Sequence, residues 1–583
     1  VFALRLPSPP GRGAWGEVRV RLPLALVPAA TRTADLRPLE IAPAACHHRC
    51  APNSACSGWL PPKSSPAPPA EKCRADITRV SASRSFKCVR VINVTTRTSE
   101  LPTWFREISY AHLISGAPSE ASTVCYDSRQ VTPGAVFVAV RGLNVDGHAY
   151  IPYAIAAGAR FVIVQESQRD AWQRYVNEDV TFIAVPDSRV ALAEAAAGFY
   201  DTPARALGMV GVTGTDGKTT TTHLIAHILN ETGHRAGHLS SVEFAAAGAV
   251  EMNASHMTTI EASEIQRHLA QISDVGGRYA VVEASSIGLD MHRVDQCEFD
   301  VGVFTNLAPD HLDFHGSMAE YRDAKAILFR MLGTSAEKGF GKAAILNADD
   351  AASGDLRAVT IVPVITYGVR APADMTAVDI TQQGFGTRFT ARMFGEQVEV
   401  KTGLLGDYNV SNCLAGAATA VSQGVEFSEA IGALANFPGV PGRMELIDEG
   451  QPFRVVVDIA STEQSMRNVL RMLRSVTPGK LIVMFGAAGE RDKGRRRGIA
   501  RAVAGTADYA VITNEDPRGE DAELILDEIA SALKKAGFGR KFDREFDRRL
   551  AMKMAFERAG KGDTVLLAGK GTEQSIVIGN AHW

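Results

Sequence analysis

A glycine-rich turn that follows a short apolar run carries the strongest chemical signal in this 583-residue chain. Residues 209–233 read MVGVTGTDGKTTTTHLIAHILNETG, which predicts a strand, a turn and a helix that begins near Lys218. The backbone N–H groups of such a turn and the positive end of the helix bind phosphate. A lysine there reaches the terminal phosphates and a threonine hydroxyl binds magnesium. The pattern predicts an ATP site at Gly214, Thr215, Asp216, Gly217, Lys218, Thr219 and Thr220.

Carboxylate, imidazole and amide side chains follow the next two predicted strands. The run YAVVEASSIGLD predicts a strand that ends at Glu283, whose carboxylate would reach a magnesium ion held by Thr219. The run FDVGVFTNLAPDHLDFHG leads a second strand into a polar loop with Asn306, His311 and nearby acids. This density of imidazole and carboxylate after a buried strand favours a cation or phosphate role over a structural one.

The helix after this loop is predicted to carry a lysine on its inner face. Ser317 and Glu320 have the spacing of a capping box at its start. Its inner face is marked by Tyr321, Ala324, Leu328 and Met331. An unpaired buried ammonium is costly, so Lys325 on that face must bend out to solvent, find an acid or be chemically altered.

The elements that position these residues form three α/β blocks. Short apolar strands and turn signals run through residues 126–185, longer strand–helix alternations through 208–443, and a third series starts at Met444. The third series contains the apolar runs FRVVVDIAS, KLIVMFGAAG, ADYAVITNEDP and DTVLLAGKG. Such runs are typical of buried parallel strands whose carboxyl ends face a ligand crevice.

Residues 1–98 differ in composition from the rest of the chain. They are rich in Pro, Arg, Ser and Ala without a sustained period, which predicts disorder or a targeting leader, and a mistranslated upstream region would look the same. The cluster Cys46, His47, His48 and Cys50 has no second ligand pair to complete a tetrahedral zinc site, so we expect no metal there.

Composition excludes several classes of protein. The 62 basic and 65 acidic residues give a formal net charge of -3, which creates no global field for nucleic acid or an anionic membrane. No run approaches the roughly 20 apolar residues that span a bilayer. The scattered Cys125, Cys297 and Cys413 are typical of a reduced, cytoplasmic protein, and a plastid is the alternative if the leader is a transit peptide.

Together these motifs resemble the Mur ligase family. The GTDGKT loop is shared with folylpolyglutamate synthetases, and the whole set resembles the MurE type, the UDP-muramoyl-tripeptide synthetases, over roughly residues 122–583. The resemblance implies an α/β protein with a small UDP-binding domain at 99–204, a central P-loop ATPase-like domain at 205–443 and a C-terminal Rossmann-like domain at 444–583. Relatives continue into a last helix beyond the position of Trp583, so we expect the third domain to be truncated.

The resemblance also implies the ATP and metal residues. Glu283 would bind a first magnesium ion, and a carbamylated Lys325 would hold a second one with His311. These three residues and Lys218 would form the catalytic set. Further nucleotide contacts would come from Asn306, Asn347, Asn409, Arg443 and Asp458.

The substrate residues follow from the same resemblance. The DSR…DGH region makes Ser128 and Arg129 candidates for the UDP end, and the muramoyl peptide would contact Thr258, Thr259, Ser285 and Arg293. The amino acid would lie in a pocket made by Arg491, Asp516, Arg518, Gly569 and Glu573, where an arginine takes a carboxylate and an acid takes the distal amine. Two segments have simpler interpretations: TTIEASEIQRHL as a capped helix start and DPRGED as a surface loop.

Several positions depart from the family pattern. Ile287, Ser461 and Thr572 stand where MurE-type enzymes have histidine, Ile260 replaces a proline, and Asp516 replaces the asparagine of diaminopimelate-adding members. The choice among diaminopimelate, lysine and ornithine therefore stays open. The phosphate and magnesium residues are all present, which favours retained ATP chemistry.

The predicted function is ATP-dependent ligation of a diamino acid to UDP-N-acetylmuramoyl-L-alanyl-D-glutamate through an acyl phosphate, in peptidoglycan precursor synthesis. We expect a monomer that takes small-molecule substrates, has no nucleic-acid or membrane partner, and bends at a hinge near residues 438–443. One alternative is a non-catalytic Mur-derived scaffold or plastid assembly subunit. Another is a folylpolyglutamate synthetase relative, whose pteridine substrate fits poorly with the DSR…DGH and DPR segments.

Overall fold

The computed structural model describes residues 101–142, 145–255, 257–573, 575–579 and 581–582. The predicted leader at 1–98, with its cluster at 46–50, lies outside these residues. Across the described ranges, no helix is long and apolar enough to cross a membrane. The fold is mixed α/β and built around separate sheets, as the sequence predicts.

The first sheet comes from the block of short strands. Its strands are β1 His112–Ser115, β2 Val124–Cys125, β3 Val136–Val138, β4 Phe161–Gln165 and β5 Thr181–Val185. Its helices are α1 Thr103–Arg106, α2 Ile151–Ala156, α3 Arg169–Trp172 and α4 Ser188–Phe199. The order is β1-β5-β4-β3-β2, with β1 antiparallel to β5 and the others parallel. Both faces are covered, which explains why β3, β4 and β5 are nearly continuous apolar runs.

The second sheet carries the nucleotide turn. Its strands are β6 Gly208–Thr213, β7 Ala236–Leu239, β8 Glu243–Ala246, β9 Ala249–Met252, β10 Tyr279–Glu283, β11 Val301–Phe304, β12 Ala343–Asn347, β13 Val364–Gly368, β14 Met375–Gln383, β15 Gly386–Met393 and β16 Glu396–Thr402. Its helices are α5 Lys218–Glu231, α6 Ala262–Asp274, α7 Ser286–Asp290, α8 Leu312–His315, α9 Met318–Leu332, α10 Ala352–Val359, α11 Asp407–Ser422 and α12 Phe427–Ala433.

The order of this sheet places the predicted site residues at one edge. Strands run β16-β15-β14-β13-β12-β11-β6-β10-β7-β8-β9, and β13, β12, β11, β6, β10 and β7 are parallel. The carboxyl ends of β6, β10, β11 and β12 therefore meet side by side. They lead into the nucleotide turn, Glu283, the loop with Asn306, and Asn347.

The third sheet contains the predicted Rossmann-like strands. Its strands are β17 Glu445–Ile447, β18 Arg454–Asp458, β19 Leu481–Phe485, β20 Tyr509–Ile512, β21 Phe542–Arg544 and β22 Thr564–Ala568. Its helices are α13 Glu463–Val476, α14 Gly494–Ala504, α15 Ala522–Lys535 and α16 Arg548–Glu557, and a hairpin of β23 Val577–Ile578 and β24 Ala581–His582 follows. The order is β17-β18-β22-β19-β20-β21, antiparallel only at β17 within the described strands.

Two predicted helix starts have different outcomes. Helix α9 is capped by Ser317, whose hydroxyl accepts the Glu320 N–H at 3.2 Å and donates to the Glu320 carboxylate at 2.8 Å. Helix α6 begins after Glu261 without a side-chain cap, so the predicted cap of TTIEASEIQRHL is wrong. The Thr259 hydroxyl instead accepts the N–H of Ser285, because it faces the loop after β10 rather than the helix end.

Candidate functional site

The nucleotide turn connects β6 to α5 and depends on two glycines. Gly214 has a φ of +150°, and a Cβ there would lie 1.8 Å from Thr305 Oγ1. Gly217 has a φ of +83°, and a Cβ there would lie 2.5 Å from Asn412 Oδ1. Only glycine fits both positions. Helix α5 then buries Leu224, Ile225, Ile228 and Leu229 against the sheet and ends before Gly233, as predicted.

Lys218 and its neighbours form the wall of this turn. The Lys218 ammonium donates to the carbonyls of Gly214, at 3.1 Å, and Thr215, at 2.8 Å. Thr220 is buried beneath the turn. Asn306, from the loop after β11, accepts the Asp216 N–H at 2.9 Å and donates to the Asp216 carbonyl at 3.0 Å. Asn306 thus holds the turn in shape from the neighbouring strand.

Thr219 and Glu283 meet as the sequence predicts. The Thr219 hydroxyl lies 3.1 Å from both carboxylate oxygens of Glu283, which is 2% exposed. The backbone N–H of Ser241, just after β7, donates to Glu283 at 2.9 Å, and the Ser241 hydroxyl lies 2.9 Å from Thr219 Oγ1. A carboxylate and a hydroxyl beside a phosphate-binding turn form the oxygen donor set that Mg²⁺ prefers.

Lys325 is fully enclosed on the inner face of α9, which rules out the solvent-directed alternative. It is 1% exposed, donates to the Gly214 carbonyl at 2.7 Å, and its ammonium lies 4.1 Å from the centre of the Tyr321 ring. Burial, and next the Lys218 ammonium, lower the pKa of Lys325 well below its usual range. The surroundings of Lys325 therefore disfavour the charged form of its side chain.

His311 lies at the entrance to the same region. It precedes α8 with a left-handed φ of +51°, and its Nε2 lies 3.4 Å from the Asp310 carboxylate. Partial burial lowers its pKa despite Asp310, and Lys218 acts in the same direction. A neutral imidazole is the form that binds a metal ion.

Two further predicted nucleotide contacts are buried within the protein. Asn347, at the end of β12, donates to the Thr305 carbonyl at 2.6 Å and is 7% exposed. Asn409, on α11, donates to the Leu405 carbonyl at 2.9 Å and is 5% exposed. Both amides hold loops around the turn in this structure.

A cavity of about 730 Å³ extends from the nucleotide turn to the third sheet. The predicted residues that line it are Thr215, Asp216, Gly217, Lys218, Thr219, Thr258, Glu283, Arg443 and Glu573. Thr572, one of the departures from the family pattern, lines it too, and the residues that the sequence did not indicate are Ser241, Met252, Asn253, Ala254, Met257, Ile459 and Ser575. Residues of the turn after β6 and polar residues of the third block thus line one space.

Arg443 and Asp458 lie where these two regions meet. The Arg443 guanidinium donates to the Ser241 hydroxyl at 3.2 Å. Asp458, at the carboxyl end of β18, accepts the N–H groups of Met444 and Ala460, both at 2.8 Å. Burial raises the pKa of Asp458 although these hydrogen bonds oppose the change. Asp458 fixes the segment that carries Arg443.

The predicted muramoyl-peptide residues form a network beside β10. Thr259 is buried and donates to the Glu283 carbonyl at 2.8 Å, while Arg293 donates to the Thr259 carbonyl at 3.0 Å and pairs with Glu261 at 2.8 Å. The Ser285 hydroxyl caps α7 by accepting the Gly288 N–H at 3.1 Å. Thr258 is the member of this set that faces the cavity.

The predicted uridine residues lie in a short turn after β2 and are not among the residues that line the cavity. Arg129 is largely exposed and forms a close ion pair with Asp127, with Nη2 to Oδ2 at 2.6 Å. Ser128 starts the same short turn. The DGH segment nearby is ordered by His148, which is fully buried, contacts Asp146 through Nδ1 at 2.6 Å and accepts the Gln165 N–H at 3.1 Å.

The predicted amino-acid residues meet at the carboxyl ends of β20 and β22. Asp516 is 9% exposed, which excludes the surface-loop interpretation of DPRGED for this residue. Lys570, which the sequence did not indicate, pairs with Asp516 at 2.8 Å and with Glu573 at 2.6 Å. A Cβ on Gly569 would lie 2.7 Å from Glu515 Oε2.

Arg491 and Arg518 add positive charge to this region. Burial lowers the pKa of Arg491, and the nearby Arg518 guanidinium lowers it further. Arg518 has a left-handed φ of +53° and its backbone N–H donates to the Val577 carbonyl at 2.9 Å. The two guanidinium groups therefore lie within each other's electric field.

Three family models match the chain in order. They are the Mur ligase family catalytic domain over residues 120–200, the Mur ligase middle domain over 212–420, and the Mur ligase glutamate ligase domain over 442–571.

Curated proteins and solved structures match most of the chain. A UDP-N-acetylmuramyl-tripeptide synthetase of Roseiflexus sp. (strain RS-1) is 42% identical over 472 residues, which cover 79% of this chain and 91% of that protein. A UDP-N-acetylmuramoyl-L-alanyl-D-glutamate--2,6-diaminopimelate ligase of Geobacillus thermodenitrificans (strain NG80-2) is 39% identical over 78% of this chain and 90% of its own length. The solved structure of a ligase with that same name is 28% identical, with a TM-score of 0.55 over 80% of this chain and 92% of that one.

Proposed function

The chain belongs to the Mur ligase family and is an ATP-dependent acid–amino-acid ligase, and we propose that it joins a diamino acid to UDP-N-acetylmuramoyl-L-alanyl-D-glutamate. The observation that carries this proposal is the cavity that Lys218, Thr219 and Glu283 share with Arg443 and Glu573. An acyl phosphate made at the nucleotide turn would face the amine bound by the third block.

The expectation of a non-catalytic scaffold is wrong. The similar proteins are ligases at up to 42% identity, and the nucleotide turn keeps the geometry that phosphate binding requires. The plastid alternative has no support among the relatives named above, which come from Roseiflexus and Geobacillus.

The proposed reaction has two steps. A carboxylate oxygen of the dipeptide attacks the γ-phosphorus of ATP and ADP leaves. The amine then attacks the acyl carbon, loses a proton, and phosphate leaves with the original carboxylate oxygen. Loose phosphoryl transition states need positioning and charge neutralisation, which Lys218 and the N–H groups at the start of α5 supply.

Magnesium would be held by Thr219 and Glu283. The buried Glu283 carboxylate accepts hydrogen bonds from Thr219 and the Ser241 N–H, and its oxygens fit a hard divalent cation. Such a cation neutralises charge that develops on the γ-phosphate. Asn306 keeps the turn in the shape that receives the phosphates.

We also propose that Lys325 is carbamylated and holds a second magnesium ion with His311. A neutral buried amine adds to CO₂, forms an N–C bond and releases one proton. The product is a carboxylate in a place where the unmodified side chain donates to the Gly214 carbonyl and lies over the Tyr321 ring.

Diaminopimelate is the first candidate for the amine acceptor. Asp516 is already neutralised by Lys570, and Arg491 and Arg518 favour an acceptor with more than one carboxylate. The name of the Geobacillus relative points to the same amino acid. Ser128 and Arg129 would contact the UDP end, and Thr258 the peptide.

The experiment supplies purified protein with ATP, magnesium, the UDP-muramoyl dipeptide labelled with ¹⁸O in its terminal carboxylate, and diaminopimelate, lysine or ornithine in turn. We expect a ligated product with diaminopimelate and ¹⁸O in the released phosphate. Lys218→Ala should lose this turnover, whereas Lys401→Ala, which removes an exposed lysine on β16, should retain it. Full activity in Lys218→Ala, or phosphate without ¹⁸O, would refute the mechanism.

A further inference from the structure

Two histidines and one glutamate lie close together behind the nucleotide turn. The ligation chemistry does not use them. His223 lies on α5 one turn after Thr219, His238 on β7 and Glu243 on β8. Each of the three side chains offers one atom that can bind a metal ion, and these three atoms all lie within 4.8 Å of one another. Among the described residues, this is the group of potential metal ligands that meets that distance. Both histidines are buried, at 7% and 8% exposure.

The Ser240 hydroxyl is the hydrogen-bond partner of His223 Nε2, at 3.0 Å. The same hydroxyl lies 3.1 Å from the Glu243 carbonyl and accepts the backbone N–H groups of Val242, at 3.1 Å, and Glu243, at 3.2 Å. Burial lowers the pKa of His223 well below its usual range, and His238 and Arg443 act in the same direction. Nε2 is thus engaged with Ser240, and Nδ1 is the ring nitrogen that faces Glu243.

The Glu243 carboxylate faces both imidazole rings. His223 Nδ1 lies 3.9 Å from Glu243 Oε1, and His238 Nε2 lies 3.4 Å from the same oxygen. The geometry at His238 Nε2 makes no hydrogen bond within the described residues, although the atom is buried. An unsatisfied buried polar atom is costly, and a cation held between the two imidazoles and the carboxylate would satisfy it.

We propose that His223, His238 and Glu243 bind a divalent transition-metal ion, with Zn²⁺ as the first candidate and one position left for water. Two imidazoles and a carboxylate are typical zinc ligands, whereas Mg²⁺ prefers oxygen alone. Tetrahedral bonds of about 2.0–2.2 Å place ligand atoms roughly 3.3–3.5 Å apart. The observed separations of 3.4 and 3.9 Å reach this range with small side-chain movements. The hydrogen bond from His223 Nε2 to Ser240 would orient the ring, as second partners of metal-bound histidines do.

The ion would position the nucleotide site rather than take part in the reaction. It would join α5 to the hairpin of β7 and β8 through the turn that contains Ser240 and Ser241. Ser241 contacts Thr219, Glu283 and Arg443, at 2.9, 2.9 and 3.2 Å respectively. Loss of the ion should therefore raise the KM for ATP more than it lowers kcat. This second effect rests on the proposed function, but binding of the ion does not.

The test measures Zn²⁺ and Co²⁺ binding to the full chain after EDTA treatment, with no histidine tag, in millimolar magnesium. The segment 46–50 also contains cysteine and histidine, so all proteins carry Cys46→Ser and Cys50→Ser. We expect one ion with micromolar or tighter affinity and the visible absorption of four-coordinate Co²⁺. His238→Ala and Glu243→Gln should each weaken binding at least 100-fold, while His234→Ala, a histidine between α5 and β7 outside the cluster, should bind like the parent.

Melting temperatures show whether a variant that binds no zinc is still folded. In EDTA the variants should unfold cooperatively, and Zn²⁺ should raise the melting temperature of the parent and of His234→Ala but not of His238→Ala or Glu243→Gln. Equal zinc affinity in the parent and His238→Ala would overturn the proposal. Absence of zinc binding in the parent would also overturn it, because the two histidines and the glutamate would then be linked through protons and not through a metal ion. ATP turnover is not needed for either outcome.

Discussion

Lys325 is the residue whose chemistry depends most on its surroundings. We expect incubation with ¹³C-bicarbonate to give a carbamate signal that Lys325→Arg abolishes, because arginine stays charged and cannot add CO₂. Ligase activity in this variant should fall at least about 100-fold, by loss of electrostatic stabilisation of the phosphoryl group. Carbon-13 NMR and phosphate release measure the two effects.

Lys338 is the matched control for that experiment. Its amine is also buried, but it pairs with Asp300 at 2.9 Å and donates to backbone carbonyls, so it has a partner for its charge. The carbamate signal should persist in Lys338→Arg. A signal that survives in Lys325→Arg would show that the reactive amine is elsewhere.

Glu515 makes the stability of the third block depend on pH. Burial raises its pKa from its ordinary 4.5 to about 7, although Arg548 and Lys570 oppose the shift. The folded state therefore binds more protons than the unfolded state between about pH 4.5 and 7, so this group's stabilising contribution falls as pH rises through that window. Glu515→Gln resembles the protonated acid. It should match the parent near pH 5 and exceed its free energy of unfolding by up to about 3 kcal/mol near pH 8.

Urea unfolding followed at both pH values checks this difference. Glu523→Gln, which removes an exposed carboxylate from α15, is the control and should show no such change with pH. A Glu515→Gln protein that is less stable than the parent near pH 8 would contradict the prediction.

Single residues differ in how well their sequence context predicts them. Thr219 and Glu283 were predictable because Glu283 ends one recognisable strand and Thr219 follows another, and parallel strands bring their carboxyl ends together. Ser241 was not predicted, since a serine after a short strand has no distinctive spacing, yet it contacts both. Lys570 was missed for a different reason: its partner Asp516 is distant in sequence and meets it only through the order of β20, β19 and β22.

The turn between β6 and α5 is the element on which nucleotide binding depends. Gly217→Ala would place a Cβ 2.5 Å from Asn412 Oδ1. Asn412 cannot move away easily, because it is buried and hydrogen-bonded to Asn409 and Thr221. We expect this variant to weaken ATP binding more than 10-fold by displacing the turn, in addition to roughly 1–2 kcal/mol of backbone strain.

Gly233→Ala separates the clash from the strain. Gly233 has the same φ of +83°, but a Cβ there meets nothing within 4 Å. Its thermal stability should fall by the strain alone, and its affinity for ATP, measured by calorimetry in magnesium, should stay near that of the parent. Equal ATP affinity in Gly217→Ala and Gly233→Ala would show that ATP binding does not depend on the shape of the turn at Gly217.

Elements with regular patterns were predicted better than irregular ones. The runs that became β18, β19, β20 and β22 are apolar because both faces of a parallel sheet are covered, and this makes them visible in the sequence. The start of α6 was predicted incorrectly because Thr259, a good capping residue in isolation, bonds to Ser285 and Glu283 in the neighbouring loop. Long-range partners override local preference there.

At the scale of the whole molecule, the three blocks were predictable from the sequence, but the contacts between them were not. Each block has its own apolar pattern, so the sheets can be anticipated separately. The contact between Arg443 and Ser241, and the entry of Thr572, Glu573 and Ser575 into the nucleotide cavity, join residues that no local pattern connects. The position of Lys570 between Asp516 and Glu573 likewise depends on the folded third block.

The segment at 438–443 is where we expect the third block to move. Gly439 and Gly442 have φ of +90° and +66°, and a Cβ on Gly442 would lie 2.7 Å from the Thr572 N atom. Ligation requires the bound amine to reach the acyl phosphate, yet ATP and products must also enter and leave. The third block should therefore swing away from the nucleotide turn when the site is empty.

Small-angle scattering tests this movement directly. Without ligands, the radius of gyration should exceed the value with a non-hydrolysable ATP analogue, magnesium and the UDP-muramoyl dipeptide together, because phosphate and carboxylate charges draw Lys218 and the third block to one centre. Gly442→Ala is the informative variant: its Cβ would meet the 571–572 backbone only when the blocks are close, so it should stay extended with ligands present. Gly450→Ala, with a φ of +83° and nothing within 4 Å, should contract like the parent. Identical scattering with and without ligands in the parent would mean that the amine reaches the acyl phosphate without movement of the third block.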